Sequence, residues 1–152
     1  MRILVLGYGK EDNQCDCPIR NLVAQSKQWV EHEIITSVDF RCQCQFTDQD
    51  IEQMDNYDVI LFICIDPDFS TDYEIIKIST RSKNDGICIT GMTPKQLIQE
   101  CTKVHKKQYT SYLLRINGKD YKYTHPMRQA ARENFNKAFV AVKYKLLTLV
   151  SQ

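Results

Sequence analysis

The sequence predicts a three-layer α/β/α fold with a mostly parallel or mixed sheet of about five or six strands. Three observations predict it. Apolar runs rich in β-branched residues recur along the chain, helical apolar faces lie between them, and residues 2–66 read as strand, helix, strand, helix, strand. That alternation favours right-handed crossovers and helices on both faces of the sheet.

The expected strands are Ile3 to Leu6, Ile34 to Val38, Val59 to Ile65, Ile75 to Ile78, Ile87 to Ile89 and Tyr112 to Ile116. The first helix is marked by Ile19, Leu22, Val23, Ser26 and Val30, which share one face. A later helix is marked by Leu97, Ile98, Cys101 and Val104, and its start by Thr93-Pro94-Lys95-Gln96. There threonine can accept from backbone N–H groups, proline fits the first helical position, and glutamine closes a capping box. The closing helix steps through Phe135, Ala138, Phe139, Val142, Leu146 and Leu149, with Arg132, Lys137, Lys143 and Lys145 largely outside that stripe. One face therefore packs on the sheet.

A length of 152 residues suits one core, and no repeat or Pro/Gly/Ser linker divides it, so residues 1–152 are expected to form one domain. The loosest stretch is Ser79 to Gly86. Lys and Arg total 20 against 19 acids, a balance that gives no net field to draw nucleic acid or an anionic membrane. The apolar run after Arg2 is too short for a signal peptide or a membrane span. Seven cysteines, an odd number spread through strand-like and helix-like segments, read as reduced thiols, and the expected location is cytoplasmic.

Candidate chemistry collects after the first three strands. Gly7-Tyr8-Gly9 follows the first, but a dinucleotide fingerprint would need glycine where Asp12 stands, and Glu11 and Asp12 would repel a pyrophosphate. No nucleotide is expected, and the glycines read as turn formers. Asp16, between Cys15 and Cys17 and before Pro18, is either a helix cap or a metal-facing carboxylate. Cys42-Gln43-Cys44 would lie at the same sheet edge as a thiolate pair, or as ordinary cysteines. Cys64 and Asp66 close the third strand there; thiolate plus carboxylate suits nickel or zinc, whereas Cys64 also reads as a buried small hydrophobe and Asp66-Pro67-Asp68 as a turn. His32, His105 and His125 read as surface or capping residues, and Tyr121, Tyr123 and His125 together as the lining of a partner groove or, more often for such a cluster, as a loop packed on its own aromatics.

Ile3-Leu4-Val5-Leu6-Gly7-Tyr8-Gly9, with an acid at position 16 leading into a helix, resembles the start of the hydrogenase maturation proteases. Val38-Asp39 resembles the strand-ending aspartate of that family's Asp-Gly-Gly segment, and Asn56 to Phe62 its third strand. Glu74 to Ile78, Thr93 to Ile98 and Tyr123 to Phe135 are similar to its later elements, so the likeness spans nearly the whole chain.

The resemblance implies an endopeptidase that clips a C-terminal extension from the large-subunit precursor of a nickel hydrogenase, with enzyme carboxylates and a histidine contacting the nickel. Carried over, the first acid falls on Asp16 and the second on Cys64 or Asp66, while Asp39 takes a supporting role. The histidine position falls near Thr90, Phe40 and Arg41 replace the two glycines, and Lys10 replaces an asparagine. The implied catalytic pair is Asp16 and Asp66. The implied metal set is Asp16, Cys64 and Asp66 with Cys42 and Cys44, the metal being nickel carried by the substrate or another divalent ion. The alternatives are a binding module that keeps the fold without the reaction, and a thiolate-rich metal-binding or redox protein.

Overall fold

A computed structural model describes residues 1–9, 18–43, 45–66, 71–79, 92–117 and 129–152. In chain order the elements are β1 (Ile3–Tyr8), α1 (Pro18–His32), β2 (Val38–Gln43), α2 (Asp48–Gln53), a turn of 3₁₀ helix (Met54–Asn56), β3 (Val59–Asp66), β4 (Tyr73–Ile78), α3 (Pro94–His105), β5 (Thr110–Asn117) and α4 (Gln129–Val150). The strands form a five-stranded sheet in the order β2-β1-β3-β5-β4, parallel except for the antiparallel pair β4 and β5. The expected mixed α/β sheet is what the chain builds.

Strand parity sorts the side chains into two cores. Ile3 and Val5 of β1, Leu61 and Ile63 of β3, and Leu114 and Ile116 of β5 pack against the buried stripes of α1 and α4. Leu4 and Leu6, Ile60 and Phe62, and Leu113 pack on the opposite side against Phe46, Met54, Leu97, Ile98 and Cys101. Both faces of the central strands are covered, which is why β3 reads as a continuous apolar run. No helix of the described residues is long and apolar enough to cross a membrane.

The α1 face forms as expected, with Ile19, Leu22, Val23, Ser26 and Val30 all buried. The α3 start also forms its capping box: Gln96 N donates to Thr93 Oγ1 at 3.2 Å, and Thr93 N donates to Gln96 Oε1 at 2.9 Å. Val104, placed on the buried face by its spacing, is instead 59% exposed: from Cys101 the inward side of α3 passes four residues on to His105, whose side chain is only 13% exposed and meets the Ile51 carbonyl.

The second strand is displaced from its expected position. Ile34 has φ 57° and is 83% exposed, part of the turn that leaves α1, so its backbone cannot extend there. The strand begins only at Val38, which pairs with Ile3. Asp39 therefore stands near the start of β2 rather than at its end, level with Leu4 and Ile60. The expected strand at Ile87 to Ile89 lies outside the described residues.

Candidate functional site

The C-terminal edge of a parallel sheet gathers the chain reversals from successive strands, and here β1, β2, β3 and β5 all end on the same edge. Two glycines shape it. A Cβ on Gly7 would lie 2.6 Å from Ile19 Cγ2 and 2.9 Å from Val23 Cγ2, so the absent side chain is what lets α1 pack onto β1. Gly9 has φ 152°, a conformation that L side chains rarely adopt. Gly7 thus serves close packing, and Gly9 the departure of the chain from β1.

Register places one side chain from every strand in a row just inside this edge. Gln43 pairs with Tyr8, Tyr8 is one residue beyond the Gly7–Ile63 pair and so stands beside Cys64, Cys64 pairs with Arg115, and Arg115 pairs with Glu74. All five project to the α2–α3 side of the sheet, and Asp66 is the next residue outward on β3 with the same orientation. Tyr8, Phe46 and Phe62 close the inner wall, with ring centroids 4.9 Å apart for Tyr8 and Phe46 and 5.5 Å for Phe46 and Phe62.

Charge in the row is concentrated on Arg115. Its guanidinium lies 3.3 Å from Asp66 Oδ2 and 2.8 Å from Glu74 Oε2, with only 16% of the side chain exposed. Asp66 is 14% exposed and Glu74 40%. Low exposure strengthens these charge-assisted bonds and fixes the Asp66 carboxylate at the rim. Cys64, 1% exposed, forms part of the wall beneath it.

The structure brings some of the expected site residues together and separates others. Cys64 and Asp66 share a face and an edge. Cys42 reaches the same edge but on the other face, with its Sγ 3.5 Å from the position a Gly7 Cβ would take, against α1. It is also two strands from Cys64, about 10 Å, so the two sulfurs do not converge. Asp39 is remote from the edge; its carboxylate accepts from Arg2 Nη2 at 2.5 Å and from Tyr57 OH at 2.9 Å. That bond and burial raise the Tyr57 pKa above its ordinary value, burial being the larger cause. Asp16, Cys44 and the Thr90 position lie outside the described residues, as do Cys15, Cys17, Tyr121, Tyr123 and His125.

Among the described residues, no three His, Cys, Asp or Glu side chains gather closely enough to hold a metal ion. A metal bound here by three protein groups would need ligands from beyond them. Arg115 and Glu74 were missed by the sequence reading. Their signal was present, since Arg115 is the single charge of β5 and Glu74 the single charge on its face of β4, ahead of Ile76 and Ile78. His105, read as a helix end, does end α3, and its Nε2 lies 2.5 Å from the Ile51 carbonyl oxygen.

No family model matches the chain, and no curated protein matches it. Solved structures do. The NiFe hydrogenase maturation protease HycI from Thermococcus kodakarensis KOD1 superposes with a TM-score of 0.65 at 11% identity, over 93% of this chain and 89% of that one. The hydrogenase maturating endopeptidase HybD from E. coli superposes with a TM-score of 0.70 at 13% identity, over 97% and 93%. The chain has the fold of these hydrogenase maturation proteases over nearly its whole length.

Proposed function

We propose, starting from that shared fold, that the chain is a divergent maturation endopeptidase acting on the large-subunit precursor of a nickel hydrogenase in the cytoplasm. The observation that supports the reading is the length of the match, which covers 93% of this chain with one maturation protease and 97% with the other. The precursor would dock at the C-terminal edge, bringing nickel as its cargo. Asp66 stands at that edge, held by Arg115. Asp16 follows the first strand in sequence and is assigned as the second carboxylate, with Cys64 and Cys44 as further ligands of the carried ion. Cys42, packed against α1, takes no part.

The test is incubation of the purified protein with nickel-loaded large-subunit precursors, followed by mass spectrometry of their C-termini. Loss of a defined C-terminal peptide that depends on nickel and disappears in Asp16→Asn is the expected result. Precursors that stay intact across all clients from the same cell would overturn the proteolytic reading. A stable complex formed without cleavage would then identify a binding module on the same fold.

A further inference from the structure

A cavity lies away from the edge described above, at the opposite end of β5. It has a volume of about 500 Å3 and runs between one flank of α3 and the junction of β4 with β5. Such a volume is ordinary for a small-molecule site. Ile78 and Ile98 give it apolar walls, and Lys95 and Lys103 stand on its α3 side. None of the described residues lining it is an aspartate or glutamate. Lys103 also lies 3.5 Å from Glu100 on the same helix, with 77% of its side chain exposed.

The wall contains an anomaly. Ser111, the second residue of β5, is 1% exposed and stands opposite Ile78, yet its Oγ has no hydrogen-bond partner among the described residues. Tyr109, two residues earlier and lining the same cavity, has a buried hydroxyl that is likewise unpartnered. Buried polar groups are almost always paired, and a serine is a poor choice for a sealed strand position when its neighbours Leu113 and Ile78 are apolar. Two buried, unpartnered hydroxyls at one cavity, with two lysines and no acid among the described residues that line it, describe a site prepared for an acceptor; Asp55, Asp58 and Glu100 lie beyond that lining.

We infer that the cavity between α3 and the β4–β5 junction binds a small organic anion with an apolar body, whose carboxylate accepts from Ser111 and Tyr109 and is attracted by Lys95 and Lys103. The apolar portion lies along Ile78 and Ile98. The inference is independent of the proteolytic reading, because the cavity is at the far end of the sheet from Asp66 and Arg115.

The experiment is titration of the isotopically labelled protein with hexanoate, followed by amide resonances. Saturable shifts at Ile98, Thr102 and Ser111 are expected. Binding should weaken about tenfold in Ser111→Ala, the loss of one hydrogen bond to a charged group, and several-fold in Lys103→Gln. Hexanol and inorganic phosphate serve as controls and should both bind more weakly than hexanoate. The inference is overturned by the absence of saturable shifts, by equal affinity in Ser111→Ala, or by a control that binds as well as hexanoate.

Discussion

Cys64 and Arg115 face each other on adjacent parallel strands, and from that position Arg115 reaches both Asp66 on β3 and Glu74 on β4. One cation therefore ties three strands together beside the candidate site. Removing it takes that cation from the poorly exposed Asp66 carboxylate and from the half-exposed Glu74 beside it. Arg115→Met should cost about 2–3 kcal/mol, below the full penalty for a deeply buried pair. That corresponds to a fall in Tm of ~4–12 °C for a chain of this size. Arg115→Lys should recover part of the loss, since it restores the charge without the two-armed geometry. Thermal denaturation of both variants checks this.

The close approach of α1 to Gly7 predicts a steric conflict with a defined partner. Gly7→Ala should destabilise by about 1–3 kcal/mol, as overpacking of a filled core does. Because the new methyl would meet Ile19 and Val23, Val23→Ala should relieve part of the cost. The double variant should lose less stability than the sum of the two singles, by about 0.5 kcal/mol or more. Urea denaturation of the four proteins measures the coupling.

The described cysteines should differ sharply in reactivity. Cys64 is 1% exposed and Cys101 fully buried, whereas Cys42 is partly exposed. Burial, with Asp50 and Glu100 nearby, pushes the Cys101 thiol up to about 11, so at pH 8 it carries almost no thiolate. Brief treatment with iodoacetamide under native conditions should label Cys42 first of the three, and denaturation should expose the other two. Peptide mass mapping reads the order.

Asp58 links the N-terminal end of the sheet to pH. Its pKa lies below the ordinary 3.8, first because the Arg2 backbone N–H donates to its carboxylate at 2.8 Å and then through Lys107 at 3.4 Å. A lowered folded-state pKa gives stability that is present above the unfolded value and is lost as pH falls through the folded one. Asp58→Asn should therefore lower Tm at pH 7, and the gap from the parent protein should narrow toward pH 2. The side chain is 48% exposed, so the gap at pH 7 should be small.

Local pattern carried the elements whose partners are dictated by periodicity. The buried face of α1, the capping box at Thr93 and the apolar run of β3 all follow from side chains within a few residues of one another, and each forms as the sequence implies. The row across the sheet edge does not follow from such spacing. Tyr8, Cys64, Arg115 and Glu74 are far apart in the chain, and only strand order and register bring them level. Cys42 and Cys64 show the same limit in reverse. Each lies near the end of a strand at the same edge, yet strand parity turns their side chains to opposite faces, and a single-residue slip of either strand would have put them on one face. The amino-acid sequence thus specified most of the described helices and strands, the displaced second strand apart, and most of what they bury, because those are local and periodic properties. The tertiary structure alone decided which side chains share a site, because pairing, register and facing are set between segments.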